Sequence, residues 1–285
     1  MVFGDSLADN GNAIAPDGTL LRKSDGLVLS EALLEDFGIS PESTRTAFQD
    51  QPPRDDFRFS LNYAFVGATS GVDGSEARGV ELGGVPVGLQ SQVERFLADS
   101  PPGAGKKARL TQDALVFVGA NDIFEFLDRI ATGQISPVDI SSESGRLIDT
   151  ITGQIIDAAH TLDAEFDDVV IVSSPPLSLT PLLQGLESFF PGIGDLADGI
   201  AAAVNQRLKF EFDLGPHASD DILVVDASSA FNNSIEDYID RYGTLQGFWF
   251  DGVHPSSLAS TDFLSDAIAA QILEENLMNP NFDFA

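Results

Sequence analysis

Hydrophobic positions along this chain fall into two alternating patterns. Short β-branched apolar runs closed by turn residues are typical of parallel strands buried on both faces. They occur at Leu61–Val66, Ala114–Val118, Val169–Val172 and Ile222–Val225, and Met1–Phe3 forms a fifth, unusually short run. Apolar residues spaced three and four apart predict amphipathic helices between them, at Leu27–Phe37, Leu89–Leu97, Leu147–Phe166, Ile200–Phe212 and Leu258–Leu273. This alternation predicts a doubly wound α/β sandwich, in one domain over residues 1–285.

Stretches rich in glycine and proline separate these elements. We expect surface loops at 38–56, 70–88, 100–106 and 174–195, and a loose end over 279–285. The segment from Leu182 to Phe190 contains several leucines and phenylalanines. It is either a lid over an apolar substrate or a loop packed on the body, and we expect the loop.

The composition is acidic as well as apolar. Acidic residues outnumber basic ones 45 to 15, the net charge is -30, and 43% of the residues are hydrophobic. Because the acids interleave with apolar positions along the chain, disorder is excluded. Such a charge repels phosphates, so nucleic acid is not an expected partner. The acidic, lysine-poor composition suggests adaptation to a salt-rich environment, where self-repulsion is screened.

Several other classes of site and segment are missing from the sequence. Cysteine is absent, so a disulfide framework and a thiolate metal site are excluded, while the redox compartment stays open. No apolar run approaches the length of a membrane span. No metal-binding or phosphate-loop motif occurs, and we expect neither a metal nor a cofactor. The oligomeric state has no signature in the sequence.

The polar residues that could carry chemistry stand at the ends of predicted strands or in loops. Ser6 follows the first run, Gly67 the second and Asn121 the third, while Asp251 and His254 precede the last helix. Because the carboxyl ends of parallel strands share one sheet edge, we expect these residues to converge there.

Together they contain the groups that acyl transfer needs. Ser6 Oγ can act as nucleophile and His254 as general base, with Asp251 orienting the imidazole ring. The backbone N–H groups of Ser6 and Gly67 and the Asn121 amide can form an oxyanion hole. A lone Gly-Asp-Ser or Asp-Gly-x-His-Pro is usually a turn, so it is their combination that indicates a site.

Four segments resemble the sequence blocks of the SGNH, or GDSL, hydrolases. They are Gly4-Asp5-Ser6-Leu7, Asn62-Tyr63-Ala64-Phe65-Val66-Gly67-Ala68-Thr69, Gly119-Ala120-Asn121-Asp122 and Asp251-Gly252-Val253-His254-Pro255. The extended first block resembles the lipase/acylhydrolase branch. The resemblance implies a three-layer α/β/α, flavodoxin-like fold with a five-stranded parallel sheet. It also implies hydrolysis of small-molecule or lipid esters by Ser6, His254 and Asp251, with Ser6, Gly67 and Asn121 as oxyanion donors.

The resemblance further suggests a secreted or extracytoplasmic enzyme, although this chain carries no signal peptide and a cytoplasmic location stays open. The first strand is shorter than the family's. We therefore expect either that the gene starts further upstream or that a leader has been removed.

Other interpretations remain beside this one. The same site could serve a phospholipase, an acyltransferase or a carbohydrate deacetylase, or the fold could survive in a non-catalytic binding module. An α/β-hydrolase elbow is less favoured, because Gly4-Asp5-Ser6-Leu7-Ala8 lacks the second glycine. Trp249 and Phe250 either line an acyl pocket beside His254 or belong to the core. His160 and His217 are expected to be bystanders, because His160 lies inside an amphipathic helix and His217 lies in an acidic loop with no serine motif nearby.

Overall fold

A computed structural model describes residues 1–14, 18–41, 44–47, 60–75, 86–99 and 113–279 of the chain. Its strands are β1 (Val2–Gly4), β2 (Thr44–Thr46), β3 (Ser60–Asn62), β4 (Asp113–Phe117), β5 (Asp168–Val172) and β6 (Ile222–Val225). In this described part they form one sheet in the order β2-β3-β1-β4-β5-β6. Every neighbouring pair is parallel.

Helices connect the strands and cover both faces of the sheet. They are α1 (Leu29–Asp36), α2 (Leu89–Asp99), α3 (Ala120–Ala131), α4 (Ile140–Asp163), α5 (Pro181–Leu186), α6 (Ile193–Asp213), α7 (Ala227–Tyr242), α8 (Ser257–Ala259) and α9 (Ser265–Met278). A 3₁₀ turn at Leu177–Leu179 precedes α5, and a π-helical stretch at Ser260–Leu264 joins α8 to α9. None of the described helices has the length and apolar character needed to cross a membrane.

The predicted fold class is confirmed. The five expected parallel strands are present as β3, β1, β4, β5 and β6, and the three-residue β2 extends the sheet at one edge. Helices α3 and α7 were not predicted, and the expected loop at 174–195 contains α5 and the start of α6. The predicted loop at 100–106 and most of the expected loose end lie outside the described residues.

Alternate residues of β1, β4, β5 and β6 enter two separate hydrophobic cores. Val169 and Ile171 of β5 pack with residues of α2, α3, α4 and α6 on one face. Val170 and Val172 pack with residues of α1, α7 and α9 on the other face. This period of two is what places a parallel strand between two layers of helices. The three layers α/β/α follow directly from it.

The shortest central strand, β1, is supported by side chains from outside the sheet. Gln92 of α2 is fully buried, and its amide accepts from Gly4 N at 2.7 Å and donates to Gly4 O at 2.8 Å. Gly4 has φ +133°, and a Cβ there would lie 1.9 Å from Phe117 O, so only glycine fits. A buried glutamine thus secures the end of the strand that leads to Ser6.

The predicted strand Leu61–Val66 leaves the regular sheet after Asn62. Tyr63 N and Phe65 N still donate to β1, at 2.8 and 2.9 Å. However, the carbonyls of Asn62 and Ala64 both accept from the Asn12 side-chain amide, each at 2.8 Å. Asn62 O also accepts from Ala47 N at 2.9 Å, so the Asn12 amide joins the backbone donor at Asn62 and serves Ala64 O beyond the end of β2, before the chain turns at Gly67.

Candidate active site

The five residues that the sequence singles out lie together at the carboxyl edge of the sheet. Ser6, Gly67, Asn121, Asp251 and His254 all line one pocket of about 470 Å³. Ser6 comes directly after β1, and Asn121 lies in the first turn of α3 after β4. The shared edge of the parallel strands therefore gathers residues that are far apart along the chain.

Ser6, His254 and Asp251 form a continuous hydrogen-bonded relay. His254 Nε2 lies 2.7 Å from Ser6 Oγ. His254 Nδ1 lies 2.8 Å from both carboxylate oxygens of Asp251. Ser6 and His254 are each 7% exposed. This is the arrangement in which a histidine can take a proton from a serine hydroxyl while a carboxylate fixes its tautomer.

The loop that carries Asp251 and His254 is closed by its own backbone. Phe250 N donates to His254 O at 2.8 Å, and Ser256 N donates to Phe248 O at 2.8 Å. Asp251 Oδ1 also accepts from the backbone N–H groups of Val253 and His254, at 2.8 and 2.9 Å. The carboxylate is thus held by main-chain donors before it meets the imidazole ring.

These contacts set the charge of Asp251. Burial alone raises the pKa of this carboxyl, but the hydrogen bond and the charge of the His254 ring lower it, as do the two backbone N–H groups. The net result is a pKa well below the usual aspartate range. Asp251 is therefore ionised throughout the neutral range, where it can stabilise an imidazolium.

Two residues that line the pocket have backbone N–H groups without a protein acceptor. In the described part of the chain, the N–H groups of Ser6 and Gly67 donate to no group. Both residues are buried. Buried N–H groups are nearly always paired, so two orphans beside one hydroxyl mark a place built for an acceptor from outside. Asn121 adds a third donor, because its Nδ2 uses one hydrogen on Ala68 O at 2.9 Å and keeps the other.

Gly67 is required by its backbone conformation. Its φ is +82°, in the left-handed region, while an added Cβ would meet only Ser75 O at an ordinary 3.5 Å. The constraint is thus the turn itself rather than lack of space.

The walls of the pocket are mostly apolar. They come from α3, from the segment at α5 and α6 and from the histidine loop, and include Phe124, Leu127, Leu183, Leu186, Ile193 and Val253. Helix α5 therefore serves as a wall, and Leu182 N binds it to the histidine loop through Gly252 O at 2.8 Å. Further along, Phe189 is 76% exposed. Lys23 and Asp128 add one charge of each sign to the lining.

Trp249 and Phe250 occupy different surroundings from each other. Trp249 lines a second pocket of about 30 Å³ on which Ser6 and His254 also border. Phe250 lines neither of these pockets, and its side chain is 43% exposed. Its backbone pairs with His254 while its ring remains at the surface.

The two other histidines lie outside the pocket but contact each other. His160 Nε2, near the end of α4, lies 2.8 Å from His217 Nδ1 in the loop after α6. This pair could not be predicted from the sequence, because 57 positions separate its members. Across the described ranges no group of three or more histidines and carboxylates is arranged to hold a metal ion.

Sequence reasoning missed two carboxyls beside the site, the fully buried Asp9 and the half-buried Asp122. Neither was among the predicted site residues, yet each accepts from the turn that carries Gly67. Asp9 accepts from Val66 N and Asp122 from Ser70 N, at 2.8 and 2.9 Å. Their positions next to the Ser6 and Asn121 segments were the only available signal.

Comparisons with known proteins identify the family. Residues 1–263 match the profile of the GDSL-like lipase/acylhydrolase family. A search of curated proteins gives no match. Among solved structures, the chain resembles a lipase from a goat rumen metagenome (14% identity, TM-score 0.45, 96% of this chain and 95% of that one covered). It also resembles an acetyl xylan esterase from Geobacillus stearothermophilus (14% identity, TM-score 0.47, 96% and 92% covered). The family match alone decides the assignment: the chain belongs to the GDSL-like lipases and acylhydrolases.

Proposed function

We propose that this protein hydrolyses carboxylic esters at Ser6, with the acyl part of the substrate in the apolar pocket. The observation that carries the proposal is the Ser6 Oγ to His254 Nε2 contact of 2.7 Å beside two unpaired buried N–H groups. A hydroxyl with a base on one side and orphan donors on the other suits the attack on a carbonyl carbon.

The reaction runs in two halves. Ser6 Oγ attacks the ester carbonyl while His254 takes its proton, and the oxyanion that forms accepts from Ser6 N, Gly67 N and Asn121 Nδ2. The imidazolium, stabilised by Asp251, then gives its proton to the leaving alcohol. Water attacks the acyl-enzyme, His254 takes the water's proton and returns it to Ser6 Oγ, and the acid leaves.

The pocket favours an acyl chain longer than acetyl. Its volume of about 470 Å³ and its lining of leucine, isoleucine and phenylalanine suit an aliphatic chain better than a sugar. We therefore place an esterase or lipase activity before a carbohydrate deacetylase on the same site. A location outside the cytoplasm, as the family resemblance suggests, stays a prediction.

Replacing Ser6 with alanine tests the proposal. The variant should lose at least about 10⁴-fold in kcat for a p-nitrophenyl ester, because the nucleophile is gone. It should also lose covalent labelling by a fluorophosphonate probe. Ser256→Ala, a serine of the same loop region that bonds Gly247 O, is the control and should keep the labelling. Labelling that persists in Ser6→Ala would show that another residue is the nucleophile.

A further inference from the structure

Two carboxylates hold the turn that carries Gly67, one on each side of the glycine: Asp9 is fully buried and Asp122 is half-buried. Asp9 Oδ2 accepts from Val66 N at 2.8 Å, one residue before it. Asp122 Oδ2 accepts from Ser70 N at 2.9 Å, three residues after it. We propose that Asp9 and Asp122 are positioning residues that aim the Gly67 N–H at the reacting oxygen. This inference rests on the proposed ester hydrolysis.

Asp9 connects the Gly67 turn to the segment that follows the serine. It is fully buried, and its other oxygen accepts from Gly11 N and Asn12 N at 2.8 and 2.6 Å. One carboxylate thus binds the backbone after Ser6 and the backbone before Gly67. The two unpaired N–H groups are held relative to each other through it.

Asp122 makes the same kind of connection to the third donor. It follows Asn121 in α3, and its Oδ1 accepts from Ser70 Oγ at 2.7 Å. Asn121 itself donates to Ala68 O, inside the same turn. The neighbouring side chains of Asn121 and Asp122 therefore fix the turn from Gly67 to Ser70 to helix α3. All three donors belong to one hydrogen-bonded unit.

A glycine turn needs such support more than another turn would. Glycine populates left- and right-handed backbone conformations about equally, so Gly67 alone does not hold one direction of its N–H. Burial raises the pKa of both Asp9 and Asp122 to about 6, although their backbone donors oppose this rise. Keeping two carboxylates where burial disfavours their charge is more typical of functional sites than of a plain core.

Asp122→Asn is the test of choice. Asparagine keeps one acceptor oxygen for Ser70 N, but it carries no charge and its amide N–H must donate to Ser70 Oγ, whose own hydrogen then goes to Gln154 Oε1, so the charge-assisted hold on the turn is weakened. Because only the transition state carries the oxyanion, kcat for a p-nitrophenyl ester should fall about 10- to 100-fold while KM changes less than about threefold. Affinity for an alkylboronic acid, which forms an anionic tetrahedral adduct on serine, should fall by a similar factor.

Asp198→Asn is a matched control. Asp198 accepts from Ser178 N and Ser178 Oγ, at 2.9 and 2.5 Å, the same pair of bonds that Asp122 makes with Ser70. Its loss should lower the unfolding midpoint about as much as Asp122→Asn does. It should leave kcat and boronic acid affinity within about twofold of wild type, since Ser178 is not joined to Gly67.

The outcomes separate the two hypotheses. If Asp122→Asn and Asp198→Asn lower the unfolding midpoint equally and have equal kcat values, the positioning role is wrong. The proposed ester hydrolysis would still stand. Undiminished activity in Ser6→Ala overturns the proposed function whatever Asp122→Asn does. If Asp122→Asn does not fold, Ser70→Ala decides in its place, because it removes the hydroxyl contacts with Asp122 and Gln154 and keeps the Ser70 N–H. A kcat within twofold of wild type in Ser70→Ala then rejects the proposal.

Discussion

Single residues at this site are held in states that a folded chain normally avoids. Two buried N–H groups, at Ser6 and Gly67, have no acceptor in the described part of the protein. Leaving one such group unpaired costs about 1–3 kcal/mol. A stable fold tolerates that only where the rest of the structure compensates, and here the same groups are the ones that an oxyanion would satisfy. In the proposed reaction, the groups that carry this cost in the free protein are the ones that bind the oxyanion.

The buried carboxyl of Asp122 makes stability depend on pH. Burial raises its pKa from 3.8 to about 6. Between these values the folded state binds a proton that the unfolded chain does not, so the contribution of Asp122 to stability rises as the pH falls from 8 to 5. Asp122→Asn cannot take up this proton. The difference in free energy of unfolding between wild type and Asp122→Asn should grow by about 1 kcal/mol from pH 8 to pH 5.

Urea unfolding at both pH values measures this difference. A difference between wild type and Asp122→Asn that is constant over this range contradicts the raised pKa.

Among the elements, α5 has the most direct influence on which ester fits. Leu183 and Leu186 of this helix line the pocket opposite α3. Replacing Leu186 with tryptophan should fill part of the pocket, so long acyl chains should be excluded first. We expect the ratio of kcat/KM for p-nitrophenyl octanoate to that for the acetate to fall about tenfold.

Leu214→Trp is the control for this change. Leu214 follows α6, is 80% exposed and does not line the pocket. Its replacement adds the same bulk without altering the ratio. An unchanged ratio in Leu186→Trp would place the acyl chain elsewhere, for example beside Trp249.

The elements also show how much of the structure could be predicted from the sequence. The strands at Val169 and Ile222 were predictable because β-branched runs between turn residues have few other interpretations. Helix α7 was not, because its buried face is only weakly apolar and includes Ala227, Ala230 and Ser234. Ser6, Gly67, Asn121, Asp251 and His254 could be found because each lies in a short motif. The contact between Asp9 and Val66 could not, since it joins positions 57 apart and depends on how the chain turns after β3.

Over the whole molecule, charge is the dominant property. The net charge is -30. The described ion pairs, such as Arg146 with Glu143 and Arg241 with Asp262, lie largely at the surface, where a pair contributes at most about 1 kcal/mol. Repulsion between acidic side chains that lack a basic partner therefore extends over the surface, and added salt should screen it.

Raising NaCl from 0.1 to 2 M should raise the unfolding midpoint by several degrees. The physical reason is screening, since the Debye length shortens from about 10 Å at 0.1 M to about 3 Å at 1 M. A variant that neutralises three exposed acids of α7, Glu236→Gln, Asp237→Asn and Asp240→Asn, should respond less steeply. Thermal unfolding followed by circular dichroism measures both, and equal midpoints in low and high salt would reject adaptation to salt.

The bond from Leu182 N to Gly252 O joins the pocket wall to the histidine loop through main-chain atoms alone. Any residue other than proline at position 182 can supply that N–H. Side chains on this helix can therefore change without disturbing the alignment of the histidine loop. Substrate range can diverge by point mutation in such a protein, while the geometry of its chemistry is inherited intact.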